Sequence, residues 1–296
     1  MKDHVDVAIV QFDPRPLDPA GNLEAMAAAV RAEAAARPTD LVVFPELATT
    51  GYLPPDYGDD FRRRLAAAAD TIPGRTTETL GRVARETGTH VIVGLAERGG
   101  GEELYNTLLL IGPDGETIGA HRKVHLWDQE PKYFASGHRF DVLDTGLGRV
   151  GLSVCHDSRF PEATRLQVVA GAEILVCVFA YAPDPGVPAD ILAHRAVTRA
   201  WESTAYYVLA NRLGSEHGAD FAGLSVVTGP TGQILTGAHG PRDPVVRARL
   251  HHRPLADARR TVDVARERRP DIYGDLSPIS SPISPETSAM SQQERP

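Results

Sequence analysis

Apolar positions recur along this chain in two rhythms, and each rhythm predicts a different element. Asp6-Val7-Ala8-Ile9-Val10-Gln11-Phe12 is a short, nearly continuous apolar run and reads as a buried strand. From Asn22 to Arg37 an alanine-rich, helix-favouring segment follows, ended by Pro38. Leu41–Phe44 is a second strand, stopped by Pro45-Glu46. Asp59–Ala69 and Thr77–Thr87 read as helices, the latter closed by Gly88. Val91–Leu95 is again a strand, and Leu108–Ile111 and Thr117–Ala120 flank the turn Pro113-Asp114-Gly115 as a hairpin.

Beyond a polar loop at His125–Gly137, Val150–Val154 reads as a strand ending at Cys155. Pro161–Ala170 is predicted helical, opening with proline at an early position. Ile174–Phe179 is a buried strand and Ala189–Tyr206 a long helix. Leu224–Thr228 and Gln233–Thr236 bracket Gly229-Pro230-Thr231-Gly232 as a second hairpin, and Val245–Leu250 is a late strand. Ser277–Pro296 is rich in serine and proline without apolar periodicity, so residues 1–276 are expected to form the domain and 277–296 a tail. Mixing βα alternation with hairpins predicts an α/β fold in which helices cover one face of each sheet.

Composition changes this picture little. With 296 residues, 42% hydrophobic and 24% charged, the chain is long enough for a substantial core. A net charge of −8 gives no electrostatic case for nucleic acid or an anionic membrane. Cys155 and Cys177 are too few for a disulfide framework, and free thiols suit a reducing cytoplasm. The N-terminus is too polar for a signal peptide, and no apolar run approaches membrane-spanning length. A cytoplasmic protein is therefore expected.

The chemistry is concentrated at three places. A lone cysteine is by default a small buried hydrophobe, and Cys177, inside Leu175–Phe179, reads that way. Cys155 instead sits at a strand-to-helix turn, where backbone N–H groups and nearby positive charge favour a thiolate. Glu46 directly follows four apolar strand residues; it is either a surface carboxylate at a loop mouth or a general base in a partly desolvated pocket. Lys123, in His121-Arg122-Lys123-Val124-His125, is either part of a solvated basic patch or a compact charge for a developing oxyanion. Only three lysines occur among 31 basic residues, which mildly favours a specific role for it.

The segments around these residues carry a resemblance. Val43–Tyr52, Arg122–Leu126 and Gly151–Glu162 resemble, in that order, the glutamate, lysine and nucleophile motifs of the nitrilase superfamily of carbon-nitrogen hydrolases. The similarity runs from Val7 to about Leu250. It implies a four-layer α-β-β-α sandwich and a homodimer or larger homo-oligomer. It also implies that Cys155 attacks the carbon of a C–N bond, that Glu46 moves the proton, and that Lys123 stabilises the tetrahedral intermediate. Glu130 matches a second glutamate that orients the lysine and the substrate. Tyr52 and His156 are the candidates for substrate contact, with His156 standing where relatives often carry an aromatic residue. Arg199-Ala200-Trp201-Glu202-Ser203 departs from a related Arg-Ala-x-Glu-Asn pattern at Ser203, and Glu202 reads as a structural hydrogen-bonding group.

The implied activity is hydrolysis of a small amide or N-carbamoyl compound through a thioester, releasing ammonia, with no cofactor. A nitrilase acting on a nitrile is the alternative, and a catalytically silent binding protein on the same fold is the alternative from a different class. A glutaminase feeding a synthetase is less favoured, although Leu47–Tyr52 followed by Pro54-Pro55 is similar to that branch. Metal hydrolysis finds no His-Glu-x-x-His pattern among the eleven histidines, and a serine hydrolase no Gly-x-Ser-x-Gly elbow.

Overall fold

The computed structural model describes residues 1–52, 59–183, 186–188, 190–237 and 243–273. The expected tail at 277–296, and most of the loop Leu53–Asp60, lie outside the described residues. The chain divides into two compact units, Met1–Ala265 and Arg266–Pro296.

The first unit begins with β1 (His4–Val10), α1 (Pro19–Ala36), β2 (Leu41–Val43), α2 (Asp59–Ala68), α3 (Arg75–Thr87), β3 (His90–Arg98), β4 (Leu104–Ile111) and β5 (Thr117–Arg122). It continues through β6 (Val142–Thr145), β7 (Gly148–Val154), α4 (Pro161–Val169), β8 (Ile174–Phe179), α5 (Ile191–Ser203) and β9 (Tyr206–Asn211). β10 (Leu213–Glu216) and β11 (Ala219–Ala222) form a separate hairpin, before β12 (Val226–Thr228), β13 (Ile234–Gly237), β14 (Val245–His251) and α6 (His252–Thr261). In the second unit, α7 (Pro270–Tyr273) is a single helical turn.

Two six-stranded sheets result, ordered β14-β1-β2-β3-β4-β5 and β13-β12-β9-β8-β7-β6. Each has a parallel trio at its centre, β1-β2-β3 in one and β7-β8-β9 in the other, flanked by antiparallel partners. Side chains alternate across a strand, so one strand feeds two layers. Val5, Val7 and Ile9 join Val150, Leu152 and Val154 in the core between the sheets. Ala8 and Val10 instead join Leu23, Met26 and Leu80 of α1 and α3 on the outer face. The second sheet is covered likewise, Leu175, Cys177 and Phe179 packing with Leu192, Ala196 and Ala200 of α5. The layers are therefore α-β-β-α, as the resemblance implies.

Local chemistry sets the boundaries. α1 starts at Pro19, three residues before the expected Asn22, because the Asp18 carboxylate accepts from the Gly21 N–H (3.0 Å) and caps it. α3 closes at Gly88 with φ 67°, the left-handed value glycine adopts freely. The largest correction concerns the helix expected over Ala189–Tyr206. It ends at Ser203, Thr204 turns left-handed at φ 45°, and Tyr206 opens β9 between β8 and β12. Tyr206-Tyr207-Val208-Leu209 is β-favouring and fully buried, so sheet pairing overrides continuation of the helix. Leu224, expected in a strand, has φ 58°, and that strand begins at Val226. β6, the β10–β11 hairpin and α6 had no expected counterpart; they are short or mostly polar and carry little periodic signal.

Among the described residues, no helix is long and apolar enough to cross a membrane.

Candidate active site

The carboxyl ends of the central parallel strands converge. β2 stops at Val43, and Phe44-Pro45 carry the chain to Glu46, which is 1% exposed. The turn then closes on itself, the N–H groups of Thr50 and Gly51 both donating to the Leu47 carbonyl (3.1 and 2.9 Å). Gly94 of β3 lies directly against this turn. A β-carbon there would sit 2.5 Å from the Pro45 carbonyl oxygen, 2.6 Å from the Leu47 nitrogen and 2.7 Å from the Glu46 α-carbon. All three are backbone atoms that cannot swing aside, so the glycine is required by close approach. Gly94→Ala is expected to cost about 1–3 kcal/mol through overpacking, read as a lower urea midpoint. An unchanged midpoint would show that the Glu46 turn yields freely.

Lys123 is the first residue after β5 and is tied at both ends. Its N–H donates to the Asn106 carbonyl (2.8 Å), and its own carbonyl accepts from the Gly137 N–H (2.8 Å). Its side chain is 0% exposed, and Nζ donates to Glu46 Oε1 (2.7 Å) and Glu130 Oε1 (2.8 Å). Glu130 opens a one-turn 3-10 helix, Glu130–Lys132, inside the loop expected at His125–Gly137. Its Oε2 accepts from the Trp127 N–H (2.7 Å) and its Oε1 from the Tyr52 hydroxyl (3.2 Å). Glu46 Oε2 accepts from the Ala180 N–H (2.8 Å), at the end of β8 in the opposite sheet.

Two carboxylates thus share one ammonium in a buried site. Burial works against the Lys123 charge, but the carboxylates of Glu46 and Glu130 hold it, so its pKa is raised and it stays protonated. The Glu130 carboxyl is raised chiefly by burial, with Lys123 opposing and Glu46 adding to it. Tyr52 is held well above its usual range by burial and by the two carboxylates, so it acts as a neutral donor.

Cys155 follows β7 with φ 45°, a left-handed conformation that side chains other than glycine adopt rarely. It opens a 3-10 turn, Cys155–Arg159, from which α4 starts at Pro161. Part of its surface remains open to a cavity of about 400 Å³. The sequence reading of this turn favours a thiolate, and the fold corrects it. Burial pushes the thiol well above its ordinary value, Glu46 pushes it further, and Lys123 only partly offsets them. The resting thiol therefore keeps its proton until a base removes it. Cys177 is 0% exposed within the outer core, and burial pushes its thiol up to about 12, in keeping with a packing role.

The structure therefore brings Glu46, Lys123, Glu130, Cys155 and Tyr52 together. His156 is there too, its ring tilted 4.8 Å from Trp127 on the cavity wall. Burial and the charges of Lys123 and Arg159 lower its pKa, so it faces the cavity as a neutral imidazole. Sequence reasoning missed Asn106, whose Nδ2 donates to Glu46 Oε1 (2.7 Å) and more weakly to Glu130 Oε1 (3.4 Å). The available signal was an amide inside the apolar strand Leu104–Ile111, where asparagine is disfavoured. It also missed Arg195 of α5, which reaches the cavity while its Nη1 donates to Ser158 Oγ (3.2 Å). Among the described residues, no group of three or more His, Cys, Asp or Glu side chains is arranged to hold a metal ion.

The carbon-nitrogen hydrolase family matches residues 6–251 of this chain. A nitrilase of Pyrococcus abyssi is 34% identical over 281 residues, covering 91% of this chain and 99% of the relative. An omega-amidase of Mus musculus is 31% identical over 254 residues, covering 81% and 87%. The crystal structure of an amidase from Nesterenkonia sp. is similar with a TM-score of 0.71 at 29% identity, covering 92% of this chain and 95% of that one.

Proposed function

The chain belongs to the nitrilase superfamily of carbon-nitrogen hydrolases, and from that premise we propose that it hydrolyses a small amide or N-carbamoyl compound through a thioester on Cys155. The observation that carries this reading is the buried Glu46–Lys123–Glu130 group set beside the Cys155 turn. Glu46 takes the Cys155 proton as Sγ attacks the carbonyl carbon. The oxyanion is stabilised by Lys123 and by a backbone N–H following Cys155. Collapse breaks the C–N bond, Glu46 protonates the leaving nitrogen, and ammonia departs. Water activated by Glu46 then cleaves the thioester, returning the thiol and releasing the acid. Glu130 orients Lys123, Tyr52 holds Glu130 from the cavity wall, and Tyr52 and His156 face the substrate.

Charge in the cavity narrows the substrate. Arg159 and Arg195 both line it, and neither guanidinium has a carboxylate partner among the described residues. The lining carboxylate, Glu216, is already paired with Arg212. A substrate with an anionic group away from its amide fits this balance. Ammonia release over paired amides, one bearing a terminal carboxylate and one neutral of equal length, tests the reading. The anionic amide is expected to be preferred. Arg195→Met is expected to raise its KM about tenfold and narrow the preference, since hydrogen bonds to charged groups contribute roughly 1.5–3 kcal/mol. Equal KM in the variant and the parent would remove Arg195 from recognition. A nitrile substrate is the second reading, favoured by the name of the Pyrococcus relative. Release from nitriles but not from amides would replace the first reading with it.

A further inference from the structure

Asp157 lies two residues past Cys155, is 0% exposed, and does not line the cavity. Its carboxylate nevertheless collects five donors. Oδ1 accepts from the Val124 N–H (3.2 Å), the His125 N–H (2.8 Å) and His125 Nδ1 (2.9 Å). Oδ2 accepts from His121 Nε2 (2.9 Å) and the Val154 N–H (3.1 Å). An ionised carboxylate only accepts, so both ring nitrogens carry their protons on the side facing it. Burial alone would raise its pKa, but the hydrogen bonds from His121 and His125 outweigh that, so it is held below the usual carboxylate range.

The position of these donors along the chain is what matters. Val124 and His125 directly follow Lys123, and Val154 directly precedes Cys155. One carboxylate therefore joins the segment leaving β5 in the first sheet to the turn leaving β7 in the second. That turn holds Cys155 at a left-handed φ of 45°, a strained value that persists only when the surroundings impose it. His125 is held in turn by stacking on Phe160, ring centroids 3.8 Å apart, and His121 by stacking on Phe140 at 5.2 Å.

We propose that Asp157 is a positioning residue that sets the relation between Lys123 and Cys155, with His121 and His125 orienting its carboxylate. This rests on the reading of Cys155 and Lys123 as a reactive pair, but it makes a separate prediction about thiol reactivity. Iodoacetamide alkylation of Cys155 forms an S–C bond as the S–H and C–I bonds break, releasing a proton and iodide, and requires no amide hydrolysis. It is measured with Asp157→Asn, His121→Phe and His121→Gln, locating the adduct by mass spectrometry and following the fold by circular dichroism.

Asp157→Asn is expected to slow Cys155 alkylation about tenfold or more while remaining folded, since small misplacements at a reacting centre cost up to about a hundredfold. His121→Phe is expected to slow it about three- to tenfold, and His121→Gln, which keeps an N–H near the Nε2 position, to restore it to within about twofold. A lower melting temperature in Asp157→Asn with an unchanged alkylation rate would assign Asp157 to stability alone and overturn the proposal. Should Asp157→Asn not fold, the His121 pair decides: slower alkylation in the phenylalanine variant supports positioning, and equal rates overturn it. A chain that releases no ammonia from any amide, yet whose Cys155 slows as described, would sink the amide reading and leave this one standing.

Discussion

Cys155→Ala is expected to lower ammonia release by about 10⁴- to 10⁶-fold, the scale seen when a nucleophile is removed from a group that acts as a unit. The substitution removes one sulfur from a half-buried turn residue, so the fold should survive and the loss should be chemical. Cys177 offers no substitute. It is 0% exposed between the second sheet and α5, and its thiol is pushed up to about 12. Ammonia release by the purified variant and the parent measures the effect. Mass spectrometry under denaturing conditions should find the acyl adduct of the parent on Cys155. Activity in the alanine variant within about tenfold of the parent would refute thioester chemistry at this position.

Lys123→Met is expected to damage both stability and turnover, for one electrostatic reason. Without the ammonium, Glu46 and Glu130 face each other in a site where both are 0–1% exposed. Removing one partner of a buried ion pair typically costs about 3–5 kcal/mol, because the remaining charge is left unpaired. Turnover should fall by about 10²- to 10³-fold, the usual effect of losing one oxyanion donor. The stability loss should also depend on pH, and its sign can be worked out. Burial already raises the Glu130 carboxyl above its ordinary value, and losing Lys123 removes the charge that opposes the rise. A carboxyl raised in the folded state contributes stability below its unfolded pKa and loses it as pH rises through the folded value. The gap between variant and parent should therefore narrow toward acid and widen toward alkaline pH. Urea unfolding at acidic and alkaline pH measures this, and a gap that widens toward acid would contradict the buried pairing.

The candidate site was legible to different depths at different residues. Glu46, Lys123, Glu130 and Cys155 stand beside strand ends or in short motifs whose order along the chain is itself a signal. Their partners carry no such signal. The Ala180 N–H that meets Glu46 lies 134 residues away, and the Asn106 amide 60 residues away. The fold itself was legible where burial imposes period. β1, β8 and α3 were expected close to where they occur, whereas β9 was not expected as a strand and its first residue, Tyr206, fell at the end of a predicted helix.

What the sequence by itself determined is the composition of the chemistry and its place at the ends of strands. Apolar periodicity follows from burial, and a residue directly after a buried strand must emerge at the sheet's end. Tertiary structure alone decided that burial pushes the Cys155 thiol up, because a pKa depends on what surrounds a group in space rather than on its neighbours in the chain. It likewise decided that Lys123 is shared by two carboxylates, and that Arg195 reaches the same cavity from α5. Asp157 came into view the same way, its five donors drawn from segments about thirty residues apart and from its own turn. Electrostatic energy varies with distance and desolvation, and packing one sheet against the other sets both.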